Sequence, residues 1–276
     1  MKITYQVGPV LAYDVGAQLV DELIGICPEG KGTRAHSFKI RTTERDPRLS
    51  SVISILEGRG LKPCLHGATP TSFSLRIERH YDRADLVAAR LLEFYPKPSL
   101  LEVTTTPFPG GPLQVPACHI SSRLTIFDLS LGVFGVTRPV KQAMEAAALR
   151  GVAFLPIEVT GGGAGRWTGY LWQLISSIQM PMLAPSCNLV YAGVQSGPFD
   201  GDYSRMVAVE EGFYAIPEKH YRNSDLEELG ELALGHALER FGHVGEQTLI
   251  AGKPFYEFCL MHKLKMDWVP VRIDPD

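Results

Sequence analysis

Two places in the sequence bring cysteine and histidine together, the residue types that bind zinc or make a thiol nucleophile. Cys118 and His119 are adjacent, and one residue separates Cys64 from His66. A structural zinc site needs four converging ligands, and a nucleophilic cysteine needs a base that faces it. Neither pair has the usual two-residue gap, and sequential neighbours in extended chain point to opposite sides. We therefore expect no metal and no catalytic residue. A metal- or thiol-dependent enzyme that uses one of these pairs is the alternative.

A glycine-rich loop from Gly161 to Arg166 is the other candidate for chemistry. Such a loop can aim backbone amides at a phosphate when a helix follows it. The spacing of glycines, lysine and serine or threonine that defines the phosphate-binding loop is missing, and no carboxylate is placed for a ribose. We interpret the segment as a surface loop and expect no cofactor.

The composition and net charge of the chain argue against some classes of binding partner. The chain of 276 residues has a formal net charge of -3 and 45% hydrophobic residues, which indicates a packed globular protein. Nucleic acid as the main partner is not expected, because phosphate binding needs a concentrated basic surface. The start of the chain has no apolar signal core, and no run of about 18 apolar residues follows. We expect a cytoplasmic protein that does not bind membranes.

The first secondary-structure elements that the sequence predicts are strands in which apolar and polar residues alternate. Residues 3–7, 37–40 and 72–77 alternate in the way of half-buried strands. Asp46 and Pro47 form a helix start, since aspartate caps free amides and proline fits the first turn. Apolar residues at helical spacing predict another helix from Asp82 to Tyr95.

Six prolines and two glycines then crowd residues 96–118. Proline cannot donate to a central strand ladder and disfavours helix interiors. We place a boundary there, which gives an N-terminal α+β region over residues 1–117 and a second α+β domain over residues 118–276.

The second domain contains a helix-turn-strand unit. Thr137 is placed to cap a helix that has Pro139 in its first turn, and Gly151 ends it. The following strand, residues 152–159, contains Pro156. A proline inside a strand predicts an edge strand or a bulge, which leaves backbone available to a partner.

The same construction returns at the C-terminus. Gly252 and Pro254 open a helix, and residues 266–273 then repeat the apolar, aromatic and proline positions of residues 152–159. We interpret the two segments as a structural repeat. Between them, a capping box at Ser224 and an apolar stripe predict a third helix that reaches Phe241. The predicted fold class is α+β, a mixed or antiparallel sheet with packed helices.

The repeated unit contains segments that resemble a known protein family. The segments VFGVTRPVK (133–141), GVAFLPIEV (151–159) and GYLWQLI (169–175), with the closing WVPV (268–271), resemble the immunity-protein family eleven of bacterial polymorphic toxin systems. They are also similar to the myxobacterial double-CXXCG immunity proteins. The resemblance covers about the second half of the chain. Both CXXCG motifs are absent, and residues 176–179 read SSIQ where the first family often has other polar residues.

The resemblance implies a non-catalytic protein that neutralises a cognate toxin by binding it. Aromatic and arginine side chains commonly anchor such interfaces. The candidate partner-binding residues are Arg166, Trp167, Tyr170 and Tyr214. Two other functions stay open besides immunity, namely the enzyme described above and a structural subunit of a larger bacterial assembly. The sequence leaves the oligomeric state undetermined.

Overall fold

The computed structural model describes residues 2–32, 37–43, 45–64, 72–97, 113–121, 123–130, 133–187, 219–241 and 246–276. It confirms the predicted α+β class, with helices packed on mainly antiparallel sheets. The described residues fall into two compact units, one up to Asp82 and one from Arg83 onward. None of the described helices combines the length and the apolar character needed to cross a membrane.

The first unit is one four-stranded sheet with helices packed on it. Its elements are β1 (Lys2–Leu11), α1 (Ala12–Val15), α2 (Ala17–Ile26), β2 (Ser37–Thr43), α3 (Pro47–Gly58), β3 (Lys62–Cys64) and β4 (Ser72–His80). The strand order is β2-β1-β4-β3, antiparallel except for the parallel pair β3 and β4.

Helix α3 begins as its sequence predicts. Asp46 is the N-cap residue, and its carboxylate accepts a hydrogen bond from the Arg48 amide at 3.0 Å. Pro47 occupies the first turn, where its missing amide costs nothing. The buried face of α3 is Leu49, Val52 and Leu56, which joins the core of this unit.

The second unit contains the remaining elements. They are α4 (Arg83–Ala88), β5 (Leu91–Pro96), β6 (Gln114–Pro116), β7 (Ile126–Ser130), β8 (Val133–Thr137), α5 (Arg138–Ala146), β9 (Val152–Pro156), β10 (Glu158–Thr160), β11 (Leu171–Ser176), β12 (His220–Arg222), α6 (Asn223–Glu227), β13 (Leu234–Phe241), β14 (Glu246–Gly252), α7 (Lys253–Met261), β15 (Met266–Pro270) and β16 (Arg272–Asp274).

Two four-stranded antiparallel sheets organise this unit into halves of the same design. The strand order is β7-β8-β11-β9 in the first half and β13-β14-β5-β15 in the second. Each half adds a short parallel pair, β6 with β10 and β12 with β16. The strands that end at Pro156 and Pro270 are the last in their sheets. Both predicted edge strands are therefore confirmed.

Backbone hydrogen bonds show that the repeat is structural. After the first proline, the amide of Ile157 donates to the Leu171 carbonyl at 3.2 Å, and after the second, the amide of Val271 donates to the Leu91 carbonyl at 3.0 Å. The next amides repeat this correspondence. Glu158 donates to the Leu113 carbonyl, and Arg272 donates to the Lys219 carbonyl. Positions in the two halves can therefore be matched residue by residue, with Leu171 equivalent to Leu91.

One apolar core is shared by the two halves. It contains residues of both sheets and of both helices, α5 and α7. Phe94 lies at its centre, with its ring centroid 5.1 Å from both Phe134 and Phe255. Since neither half could bury this face alone, the halves stabilise each other.

Two predicted helices are wrong. The helix expected over Asp82–Tyr95 ends at Ala88, and β5 follows as the third strand in the order β13-β14-β5-β15. The helix expected from Ser224 to Phe241 ends at Glu227, and its second part is the strand β13. Both segments have apolar residues at helical spacing, but pairing with distant strands overrides that local preference.

The compact units divide the chain at residue 82, whereas the prolines predict a boundary near residue 117. The strand β5 accounts for the difference. It pairs with β14 and β15 from the end of the chain, so residues 91–96 belong with the C-terminal half of the second unit.

Candidate functional site

Three of the four predicted partner-binding residues lie together, at the turn that leads into β11. Arg166 and Trp167 end a short 3-10 helix, Ala164–Trp167, and Tyr170 follows immediately before the strand. The Trp167 and Tyr170 ring centroids are 5.1 Å apart, and the Arg166 guanidinium lies 5.0 Å from the indole centroid. We call this cluster the Arg166 ledge. The fourth residue, Tyr214, lies outside the described residues.

The chain around the ledge is fixed from two sides. Gly161 and Gly163 have φ values of 85° and 81°, a region that side chains disfavour, and they turn the chain into the 3-10 helix. On the other side, the Arg138 guanidinium donates to the carbonyls of Thr168 and Gly169 at 3.1 and 2.9 Å. These bonds hold the turn against the start of α5.

The three ledge residues differ in what they offer to a partner. Trp167 is only 9% exposed and belongs to an apolar cluster on the outer face of the first-half sheet. It was expected as an exposed anchor, and the structure instead packs it as a core residue. Arg166 is exposed and Tyr170 is half-buried. The surface presented here is an arginine supported by a buried ring, which is less free to move than an isolated arginine.

Of the two cysteine and histidine pairs, Cys118 with His119 lies within the described residues. Cys118 is exposed and lies beside His119 on the 3-10 helix Ala117–His119. Cys64 ends β3, and its side chain and His66 lie outside the described part of the structure. Among the described residues, no group of three or more potential ligands could hold a metal ion.

A serine, a histidine and an aspartate do meet in the second half, between β12 and β16. Ser186 Oγ lies 3.0 Å from His220 Nδ1 and also donates to the Asp274 carboxylate. In a hydrolytic triad, the serine and the carboxylate use opposite nitrogens of the imidazole. Here Asp274 Oδ2 lies 3.6 Å from the same Nδ1. The serine proton therefore goes to the carboxylate, and the arrangement ties β16 to the chain rather than activating a nucleophile.

Sequence reasoning missed a buried charged cluster beside this group. Lys219 Nζ lies 3.0 Å from Glu93 Oε2, and both side chains are almost fully buried. The same Glu93 oxygen accepts a hydrogen bond from the Tyr95 hydroxyl at 2.7 Å. Glu239, fully buried, accepts one from the Leu183 amide. Burial, with the carboxylates of Glu239 and Glu93, raises the pKa of Tyr221 well above its usual value.

A signal for this cluster is present in the sequence. Glu93 is the one charged residue in the otherwise apolar run from Leu91 to Phe94. A carboxylate within a buried strand requires a partner, because an isolated charge is too costly to bury. The helix predicted over Asp82–Tyr95 hid this requirement, because the strand that places Glu93 in the interior was not predicted.

Comparison with protein-family models, with characterised proteins and with solved structures finds no match to this chain.

Proposed function

We propose that this chain is a non-catalytic protein that binds and neutralises a bacterial protein toxin, as immunity proteins do. The duplicated helix-turn-strand unit is the observation that carries the proposal. That unit holds the segments that resemble the immunity-protein family eleven. The same segments form β8, α5 and β9, and they are repeated as β14, α7 and β15 with matching hydrogen bonds.

The Arg166 ledge supports a binding role for the first half. Arginine and tyrosine are enriched among the few interface residues that contribute most of the binding energy. A side chain already held in place loses less conformational entropy when a partner covers it. Stacking on Trp167 and the Arg138 bonds to the turn provide such ordering before any partner arrives. We therefore assign Arg166 and Tyr170 to the toxin interface.

The proposal is tested by sequencing the genes next to this one in its native genome and co-expressing the chain with a toxin encoded there; a neighbourhood without a toxin gene would count against the proposal. The wild-type chain is expected to restore growth to toxin-producing cells and to form a stable complex in size-exclusion chromatography. The variants Arg166→Glu and Tyr170→Ala are expected to weaken binding at least tenfold. Arg222→Glu is the matched control, since it makes the same charge reversal on an exposed arginine of the second half.

Each outcome bears on a separate part of the proposal. If the wild-type chain neither binds the toxin nor restores growth, the immunity function is wrong. If it binds and the ledge variants bind equally well, the function stands and the ledge is not the interface. Turnover of a substrate by the purified chain would favour the enzyme alternative instead.

A further inference from the structure

The two halves of the second unit differ at the position of the buried indole. Trp167 lies four residues before Leu171, and Val87 lies four residues before Leu91, the equivalent residue of the second half. Val87 therefore takes the chain position of Trp167. The two residues have opposite environments, because Trp167 is 9% exposed and Val87 is 48% exposed.

A cleft of about 380 Å³ lies beside Val87. Its apolar wall is formed by Val87, Leu91, Leu226, Leu229 and Leu232. The volume is near the lower end of the range for ligand clefts, roughly 300–1,000 Å³. It suits one ring system better than an extended ligand.

The cleft corresponds to the space that the indole fills in the first half. Leu226 lies four residues after β12, as Ile120 lies four residues after β6. Leu232 and Leu124 lie two residues before β13 and β7. In the first half, Ile120 and Leu124 pack in one apolar cluster with Trp167. The leucine wall of the cleft is therefore the counterpart of a wall that already accepts a tryptophan side chain.

The path of α4 explains why the cleft is open. Leu86 and Ala89 pack against the core shared by the two halves. Their equivalents next to β11 are Arg166 and Gly169, which are exposed, and the neighbouring Trp167 and Tyr170 pack in the apolar cluster on the outer face of that sheet. Because α4 turns toward the shared core, it brings no large side chain to the outer face of the second half.

The charges around the cleft indicate which chemical group would lie beside a ring bound in it. Arg90 and Lys253 both line it, and both are exposed. Lys253 is the equivalent of Arg138, whose guanidinium is used in the first half to hold the 168–169 turn. Arg90 donates to Asn223 and to the Leu226 carbonyl, so its cation is fixed at the rim. Glu231 is the one acidic residue of the lining. The rim has an excess of positive charge that complements a carboxylate.

We propose that this cleft binds an aromatic side chain, best a tryptophan flanked by acidic residues, presented by a protein partner. The indole would lie against the leucine wall, and a neighbouring carboxylate would reach Arg90 or Lys253. The inference rests on the proposed function only in taking the partner to be a protein. The affinity of the cleft for the ring can be measured without any toxin.

Methyl-labelled leucine and valine resonances test the site in the full chain. N-acetyl-tryptophanamide and the peptide acetyl-Asp-Trp-Asp-amide are titrated separately, with acetyl-Asp-Ala-Asp-amide as the control. We expect saturable shifts at Leu226, Leu229 and Leu232 with both tryptophan probes, and none with the control peptide. The acidic peptide is expected to bind at least fivefold more tightly than the amide.

Three variants separate the contributions. Val87→Trp places in the cleft the residue found in the first half, and it is expected to weaken binding of both tryptophan probes at least tenfold. Val87→Ala is the size control and is expected to retain binding. Lys253→Gln removes one of the two rim cations and is expected to reduce the advantage of the acidic peptide while leaving binding of the amide unaffected.

The proposal is overturned by a wild-type titration in which neither tryptophan probe gives saturable shifts at the three leucines. It is equally overturned if a folded Val87→Trp protein binds the probes as well as the wild type does. If that variant does not fold, the wild-type titration decides alone. Toxin binding with no probe binding would remove this inference and leave the proposed function intact.

Discussion

Lys219 Nζ and Glu93 Oε2 form an ion pair of 3.0 Å inside the second half of the repeat. Their equivalents in the first half are Leu113 and Gln173, a pair without charge. Both charged groups of a buried ion pair lose their hydration, so the pair adds little stability over an apolar pair of similar volume. The charges therefore mark a difference between the halves that the shared fold does not require.

Removing one member of this pair is expected to destabilise the chain. Lys219→Leu leaves the Glu93 carboxylate buried without its ammonium partner, and the expected loss is about 3–5 kcal/mol. The double variant Lys219→Leu/Glu93→Gln recreates the pair of the first half and should recover at least half of that loss. Urea unfolding measures both. Lys265→Leu, on an exposed lysine, is the control. Equal stability of the single and double variants would contradict the prediction.

Gly151 is expected to be intolerant of any side chain. Its φ is +90°, and an added Cβ would lie 2.0 Å from the Leu234 carbonyl oxygen. The Arg150 carbonyl next to it accepts the amides of Ala233 and Leu234, so a shift here disturbs the junction of the two halves. Gly151→Ala should cost well over about 1 kcal/mol. Gly162→Ala meets no neighbour and should be close to neutral in the same thermal melts. Similar melting temperatures for the two variants would show that the junction can relax.

The thiols are expected to react very unequally. Cys118 is exposed, whereas Cys27, Cys187 and Cys259 are buried, and burial raises the pKa of each of these three thiols. Because the thiolate is the reactive form, burial and a raised pKa both slow modification. In a Cys64→Ser background, a disulfide reagent at pH 8 should label one thiol under native conditions and the other three only in denaturant. Fast labelling in a further Cys118→Ser variant would contradict the described burial.

Asp46 is expected to make the first unit sensitive to acid. Hydrogen bonds from Arg48 and Thr42 lower the pKa of this carboxyl well below its ordinary value. A lowered native pKa means that the stabilisation is present above the unfolded value, about 3.9, and is lost as pH falls toward the native one. Urea unfolding of the wild type, followed by NMR signals of α3 from pH 6 to pH 2.5, should show this decline.

Asp46→Asn is the matched variant for that measurement. It keeps an oxygen that can cap α3 but has no charge to titrate. The variant should be less stable than the wild type at pH 6, and the two should converge as the pH approaches 2.5. A wild-type stability that falls no more steeply than that of Asp46→Asn would exclude this carboxyl as the cause.

The repeat could be predicted from the sequence because its signals are local. Proline in the first turn of each helix and proline four residues into each strand recur at matching positions. Each has a steric reason that acts within a few residues. The same holds for the cap at Asp46. The edge position of β9 and β15 also follows from a local fact, since Pro156 and Pro270 have no amide to donate.

The strands β5 and β13 could not be predicted from the sequence, because they form through contacts with distant parts of the chain. Leu86, Ala89 and Leu92 have the spacing of a helix face, yet Leu92 lies in a strand that is buried on both sides. Such strands read as continuous apolar runs and give no alternation to detect. In β13, Gly235 lies against Met180, and no local sequence pattern predicts that contact.

By itself, the sequence determined the α+β class, the helix-turn-strand unit and its repetition, since these depend on turn chemistry and on side-chain period. Only the tertiary structure decided what fills each half. It buried Trp167, paired Lys219 with Glu93, and left Val87 beside an open cleft. The reason is that β5 reaches its partners across most of the chain length. Side-chain period tells which residues face a core, but it does not tell which distant strand supplies the other wall.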